Sequence, residues 1–166
     1  MLLGIDHVVL AVQDVDAASA ELAAALGLEE DGGGDHPDWG TRNRILWLGN
    51  TFLELLGIAD PVAASTSWLG RPVVDALATG PGMVAWAIAS DSLEEDAGRL
   101  RERGAQLGPA IPGRRRRADG RLVRWDLSLP TRVGLAAPFL IEHHQGSAEW
   151  TPSERAVREA MPARLT

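Results

Sequence analysis

The sequence contains a weak internal repeat, in which an apolar segment of the first half recurs in the second. Residues 5–12 (IDHVVLAV) align with residues 83–90 (MVAWAIAS), and a predicted helix follows each copy. With one constant offset, His7 aligns with Ala85 and Trp47 with Trp125. A chain that repeats its elements in one order is expected to fold as two similar modules related by an approximate twofold axis.

Each half predicts a strand, a helix and further strands, so the expected fold class is α+β. In the first half, residues 5–12 predict a strand and residues 15–26 a helix, which begins after Asp14 and stops at Gly27. A polar, glycine-rich stretch at 29–34 follows. The predicted strands 44–48 and 51–57 then meet at the hairpin turn Gly49-Asn50. The second half predicts strands at 83–89, 121–129 and 139–143, with a helix from the capping box at Ser92.

We therefore predict one domain over residues 1–146, with module 1 at about 4–57, a connector at 58–81 and module 2 at about 82–146. The connector contains a predicted helical piece at 72–78. Residues 147–166 form a tail, in which the capping box at 151–154 predicts a short C-terminal helix to about Met161.

Composition limits the functions that this domain can have. With 166 residues, of which 45% are hydrophobic, the chain is long enough to bury its own core. Its net charge of -7 argues against nucleic acid or an anionic membrane as the main partner. It contains no cysteine and no lysine, which excludes thiolate metal sites, thiol nucleophiles and lysine Schiff bases. We see no signal peptide or membrane span and expect a cytoplasmic protein.

Two glutamates lie inside apolar strands at matching places in the two halves. Glu54 lies in the strand 51–57 and Glu142 in the strand 139–143. An ionised carboxylate in such surroundings is costly unless it is paired. We predict that both are catalytic residues that meet His7 at a central site. The alternative is a pair of buried acids bridged to arginines, for which Arg42, Arg44 and Arg124 are available.

His7 alternates with aliphatic residues on one strand face, and this pattern leaves two interpretations open. It is a metal ligand or proton-transfer group, or it is a core histidine bonded to backbone. Together, His7, Glu54 and Glu142 could hold a divalent ion with open positions, which would polarise a carbonyl or chelate a vicinal diol. Ala85 occupies the symmetric fourth position, and its side chain cannot coordinate a metal.

Several short motifs identify a resemblance that covers roughly residues 5–144. The segments 36–43 (HPDWGTRN), 52–55 (FLEL) and 138–142 (PFLIE), with Trp86 and Arg124-Trp125, resemble the glyoxalase-like domain family of the vicinal oxygen chelate superfamily. The resemblance implies two βαβββ modules that curl into a half-open barrel, with metal ligands on the first and fourth strands of each. His7, Glu54 and Glu142 match three such positions. The superfamily also includes metal-free resistance proteins, so a site without metal stays open.

Five further residues are predicted to bind substrate: His36, Trp39, Arg42, Trp86 and Arg124. Trp39 would form an apolar wall and Arg42 would meet an anionic group, both at the rim of a glycine-rich loop. The alternatives are that Trp39 closes the core and Arg42 caps a turn. Trp86 can equally fill space beneath the sheet.

Two other features complete the set of candidate residues. His144 shares a strand face with Glu142 and is a reserve ligand, and the alternative is a solvated strand end. The run Arg114–Arg117, between turn residues, predicts a flexible, solvated loop that could close over an acidic ligand.

These features favour a small-molecule enzyme of lyase or isomerase type, which acts on a carbonyl or oxygen-chelating substrate and uses a divalent metal. The alternative is a metal-free protein that sequesters an apolar or aromatic compound in a tryptophan-lined cavity. A homodimer is compatible with either function.

Overall fold

Strand, helix and three strands follow one another twice along the chain. The first half contains β1 (Leu2–Ala11), α1 (Val15–Leu26), β2 (Glu30–His36), β3 (Thr41–Leu48) and β4 (Thr51–Ile58). Two short helices, α2 (Pro61–Thr66) and α3 (Gly70–Leu77), connect the halves. The second half contains β5 (Gly82–Ser90), α4 (Leu93–Glu102), β6 (Leu107–Arg116), β7 (Leu122–Pro130) and β8 (Phe139–His143).

This computed structural model describes residues 1–28, 30–117, 119–131 and 137–144. The C-terminal helix predicted from the capping box at 151–154 lies outside them. Among the described helices, none is both long enough and apolar enough to span a membrane.

The eight strands form a closed barrel in the order β1-β4-β3-β2-β6-β7-β8-β5. The two halves meet on one side where β1 pairs antiparallel with β5. They meet on the other side where β2 pairs with β6 at Asp35 and Arg116. The expected half-open barrel was therefore wrong. Gly34 permits the closure, because a Cβ added there would lie 2.1 Å from the carbonyl oxygen of Arg116.

Several predicted boundaries also need correction. The glycine-rich stretch belongs to strand β2, in which Gly33 and Gly34 adopt φ values of 108° and 151°. β3 begins at Thr41, three residues earlier than predicted, so that Arg42 lies in a strand. Residues 114–116 end strand β6 instead of forming a flexible loop, because they pair with β7. The connector contains two helices where one was predicted.

Helix α1 has the bounds that the sequence predicts, for local reasons. The Asp14 side chain accepts hydrogen bonds from the backbone N–H groups of Asp16 and Ala17, which caps the N-terminus. Gly27 ends the helix with φ 63°, a conformation that glycine adopts without a Cβ penalty.

The helices pack against the strands of the barrel. α1 packs on β3 and β4 through a cluster that contains Val15, Leu46 and Leu55. α4 packs on β8 through Leu93, Ala97 and Leu140. α3 contributes Val73 to the largest cluster, together with inward-facing strand residues such as Val9, Ala87 and Ile141. Inward-facing strand residues line most of the interior of the barrel, and Trp39, Trp68 and Leu69 from the connections between strands complete its lining.

Candidate functional site

A cavity inside the barrel opens to solvent, and its empty space is about 520 Å³ with open solvent included. Its lining is mostly aromatic and aliphatic. The polar side chains that line it are His7, His36, Asn43, Glu54, Arg115 and His143. An apolar cavity with a few convergent polar groups is the usual composition of a small-molecule site.

A bulge in β1 brings two adjacent residues to this site. The register of β1 against β5 shifts between Ile5 and His7, so that His7 pairs with Ala87 and Asp6 is the extra residue. In a regular strand, the side chains of Asp6 and His7 would point to opposite faces. Here both are buried, and Asp6 Oδ1 lies 2.6 Å from His7 Nδ1. A bulge re-aims side chains in this way and is common next to functional sites.

Asp6 holds a negative charge behind His7. Burial opposes this charge, but the positive charge and hydrogen bond of His143 and the hydrogen bond of His7 outweigh burial and keep the pKa of Asp6 well below its ordinary value. Burial likewise opposes the charged form of His7. The hydrogen bond and charge of Asp6, with the charge of Glu54, outweigh it and raise the pKa of His7. The pair therefore favours a protonated imidazole beside an ionised carboxylate.

Glu54 faces His7 from the neighbouring strand β4. Its Oε2 lies 3.5 Å from His7 Nε2, close enough for an ion pair but too long for a good hydrogen bond. Its Oε1 accepts a hydrogen bond of 2.5 Å from the side-chain amide of Asn43 on β3. Glu54 is 7% exposed and Asn43 only 2%, so each is fixed in a nearly dry setting.

β8 brings a histidine to the cavity where the sequence predicted a glutamate. Phe139, Ile141 and His143 line the cavity at every second position. Nε2 of His143 lies 3.1 Å from Asp6 Oδ2, so that Asp6 bridges two histidines. Glu142 points to the opposite face, and its Oε2 accepts a 2.7 Å hydrogen bond from the backbone N–H of Leu93 at the start of α4. The structure thus brings His7 and Glu54 together and leaves Glu142 outside.

His36 lies in a different electrostatic setting. It is buried, and its Nδ1 lies 3.1 Å from the hydroxyl of Thr41. Burial, with the positive charges of Arg115 and His7, lowers the pKa of His36 to about 3. Arg115 donates a hydrogen bond to the carbonyl of Gly33, which fixes it at this end of the cavity. His36 is therefore neutral at physiological pH.

The other predicted substrate contacts divide between the cavity and the surface. Trp39 lines the cavity. Arg42 points outward and pairs with Asp16 at 3.3 Å. Arg124 is exposed, and Trp86 is half-buried but not among the described residues that line the cavity. The reserve ligand His144 also lies outside, 2.8 Å from Asp126 Oδ2.

Aromatic rings form the walls around these polar groups. The His7 ring stacks on Phe52 with 4.6 Å between ring centroids and an interplanar angle of 12°. Trp39 meets Trp68 edge to face at 5.2 Å and lies 6.2 Å from Trp125. Phe52 holds the His7 imidazole in one plane, and the tryptophan rings offer flat apolar surfaces to a ligand.

The described residues do not fit the predicted three-ligand metal centre. Glu142 caps α4, and both nitrogens of His7 face carboxylates, Asp6 on one side and Glu54 on the other. Within the part of the chain that the structure describes, no three histidine, aspartate or glutamate side chains are grouped as metal ligands. The arrangement is instead suited to moving protons between fixed acids and bases.

Four residues of this site were not predicted from the sequence: Asp6, Asn43, Trp68 and His143. Arg115 was predicted only as part of a flexible loop. The alternation of Phe139 and Ile141 with His143 could have indicated the inward face of β8. The repeat directed attention to Glu142 instead. No sequence pattern marks the bulge that turns Asp6 inward.

Comparison with known proteins gives a family and a set of similar folds. The family model described as "Glyoxalase-like domain" matches residues 5–162. No curated protein matches the chain significantly.

Similar solved structures share the fold at low identity. A hypothetical protein from Staphylococcus aureus has a TM-score of 0.70 at 17% identity, and the match covers 88% of this chain but 60% of that one. Methylmalonyl-CoA epimerase from Mycobacterium tuberculosis has a TM-score of 0.64 at 25% identity, covering 85% of this chain and 88% of that one. A Streptomyces coelicolor methylmalonyl-CoA epimerase, solved with 2-nitronate-propionyl-CoA, has a TM-score of 0.63 at 22% identity, covering 86% and 98%.

Proposed function

The chain belongs to the glyoxalase-like domain family, and from that premise we propose that it is an isomerase-type enzyme that moves a proton at a carbon next to a carbonyl. Glu54 takes the proton from carbon, and His7 stabilises the charge that develops on the carbonyl oxygen. The reaction class agrees with the name of the epimerase whose structure is similar.

One observation carries this proposal: Glu54 Oε2 and His7 Nε2 face each other across 3.5 Å in the apolar cavity. Each group is held by a separate partner, Asn43 for Glu54 and Asp6 for His7. A base and an acid that are fixed independently can act on neighbouring atoms of one substrate.

Asp6 sets the role of His7. A carboxylate that accepts from Nδ1–H leaves Nε2 to face the cavity, and it favours the protonated imidazole. An imidazolium N–H is a strong donor to a developing enolate oxygen. Since the site is largely dry, this interaction is stronger than it would be in water.

Glu54 is the base because its hydrogen bond from Asn43 occupies only Oε1. Oε2 can then accept a proton from a substrate carbon and return it to the same or the adjacent carbon. No step of this proposal passes through a metal ion, because the three predicted ligands are not gathered at one place.

The test is exchange of the α-proton of 2-hydroxyacetophenone for deuterium, followed by proton NMR. Glu54→Gln should lower the catalysed rate by about 100-fold or more, since general-base catalysis contributes about that much. Glu30→Gln is the matched control, because Glu30 is an exposed strand glutamate. Full exchange activity in Glu54→Gln would contradict the proposal.

A second candidate is a metal-free protein that sequesters an aromatic compound. The observation that favours it is the cavity wall of Trp39, Trp68 and Trp125. In that case a bound aromatic compound quenches tryptophan fluorescence equally in wild type and Glu54→Gln, and neither protein exchanges an α-proton. Exchange by wild type would exclude a function in binding alone.

A further inference from the structure

Three buried polar atoms at the cavity have no hydrogen-bond partner among the described residues: Asn43 Oδ1, Trp68 Nε1 and His143 Nδ1. A buried polar group without a partner costs free energy, and most such groups in folded proteins are satisfied. We build on Asn43 and Trp68, because their donor and acceptor roles are fixed by chemistry.

Asn43 presents an acceptor next to the proposed base. The amide nitrogen of Asn43 is the atom that donates to Glu54 Oε1. The other amide atom is therefore the oxygen, and Asn43 is 2% exposed. A ligand with a hydroxyl or N–H group close to the reacting carbon would satisfy this oxygen.

Trp68 presents a donor elsewhere on the wall. An indole N–H can only donate. Its ring is held edge to face against Trp39 at 5.2 Å and against Phe139 at 6.0 Å. The rings on both sides keep the N–H direction fixed, so a ligand acceptor must come to it. A carbonyl, ether or methoxy oxygen has the required lone pair.

Glu54 disfavours a substrate carboxylate next to it. It lies 3.5 Å from the His7 imidazole, which already has Asp6 on its other side. A substrate carboxylate beside Glu54 would be repelled by it and would find the imidazole already paired. The flat walls formed by Phe52 and Trp39 suit a planar ring.

We propose, building on the function above, that the substrate is a neutral α-hydroxy ketone or aldehyde attached to an aromatic ring. Its hydroxyl donates to Asn43 Oδ1, and an oxygen acceptor on the far side of the ring receives the Trp68 N–H. These two contacts determine specificity, whereas His7 and Glu54 carry out the proton transfer.

The chemistry balances without any further reactant. Glu54 takes the proton from the hydroxyl-bearing carbon, and the electron pair of that C–H bond forms the C=C bond of an enediol. The carbonyl oxygen receives a proton from His7 as its π bond breaks. Return of the proton from Glu54 to the same carbon, while the new O–H gives its proton back to His7, restores the substrate or its mirror-image configuration. Delivery to the former carbonyl carbon, while the original hydroxyl gives its proton to His7, yields the isomeric hydroxy carbonyl.

The test compares the affinities of several ligands for the same protein. A substitution that weakens the binding of all ligands equally therefore leaves these ratios unchanged. Calorimetry measures the affinity of the complete ligand, 2-hydroxy-4′-methoxyacetophenone, and compares it with three others. 4-Methoxyacetophenone lacks the hydroxyl, and 2-hydroxyacetophenone lacks the far acceptor. 2-Hydroxy-4′-methylacetophenone replaces the methoxy group with methyl. Wild type should prefer the complete ligand by about 2- to 10-fold in each comparison, the usual value of one hydrogen bond.

Asn43→Ala should abolish the preference for the hydroxyl and keep the preference for methoxy over methyl. Trp68→Phe, which keeps an aromatic ring, should do the reverse. Preferences that survive both substitutions, or no binding of the complete ligand to folded wild type, would overturn the inference.

If the preferences are absent while Glu54-dependent exchange persists, the inference fails and the proposed function stands. If the preferences hold without exchange, the recognition holds and the proposed function fails.

Discussion

Asp6 Oδ1 lies 2.6 Å from Nδ1 of His7, the next residue in the chain, although adjacent strand residues normally face opposite sides. The bulge that permits this contact places an ionised carboxylate behind the imidazole that faces Glu54. Asp6 therefore sets both the orientation and the charge of His7.

Asp6→Asn should reduce α-proton exchange by about tenfold or more, because the neutral amide no longer favours the charged imidazole. Removal of Asp6 lowers the pKa of His7, so the alkaline limb of the pH–rate profile should move to lower pH. Asp126→Asn is the control, since Asp126 pairs with His144 outside the cavity. An alkaline limb in Asp6→Asn that matches the wild-type limb would contradict this role.

His36 makes the protein less stable in mild acid. Its pKa of about 3 in the folded state lies below the ordinary 6.5, so the unfolded chain binds a proton that the folded protein excludes. The contribution of His36 to the free energy of unfolding is complete above pH 6.5. It falls by on the order of a few kcal/mol as the pH drops towards 3. His7, whose pKa is raised, acts in the opposite sense: its contribution is present below pH 6.5 and is lost as pH rises through its folded-state pKa.

Urea unfolding at several pH values between 4 and 7 tests the contribution of His36. His36→Gln should have a shallower loss of unfolding free energy over this range than wild type. The same slope in both proteins would show that His36 is not held neutral.

Glu142 is expected to stabilise the fold without taking part in exchange. Its carboxylate accepts the Leu93 N–H at the start of α4, where a negative charge is favourable. Glu142→Ala should lower the unfolding free energy by about 1 kcal/mol and leave α-proton exchange unchanged per folded molecule. Loss of exchange in a fully folded Glu142→Ala protein would support the site first predicted from the repeat.

Gly34 allows β2 to reach β6. Gly34→Ala should cost more than about 2 kcal/mol, because the new Cβ would meet the Arg116 carbonyl at 2.1 Å and φ is 151°. Gly4→Ala is the matched control: Gly4 also has a positive φ, 123°, but a Cβ there has no atom within 4 Å. Urea unfolding compares the two variants. Equal losses would mean that backbone strain alone explains the effect of Gly34→Ala and that the close approach to β6 has no part in it.

Local sequence signals predicted the elements that local interactions determine. The bounds of α1 followed from Asp14 and Gly27, and β8 was predicted at 139–143, where the structure has it. β2 was missed because Gly32–Gly34 are typical of a loop. In the fold, these glycines allow close approach of another strand, which is a long-range requirement.

The site was harder to predict for the same reason. The repeat directed attention to His7 and Glu54, and their side chains lie 3.5 Å apart. It could not show that Asp6 turns inward, because a one-residue bulge depends on the pairing of β1 with β5. It also assigned β8 by analogy with Glu54, whereas the pleat of that strand brings His143 to the cavity and turns Glu142 away.

The most direct test of the His7–Glu54 pair is the α-proton exchange rate with 2-hydroxyacetophenone after exhaustive removal of divalent metal by a chelator. The pair predicts that chelated wild type keeps its full rate and that Glu54→Gln loses it by about 100-fold or more. A rate that disappears on chelation and returns with a divalent ion would contradict the account and support the metal centre that the sequence suggested.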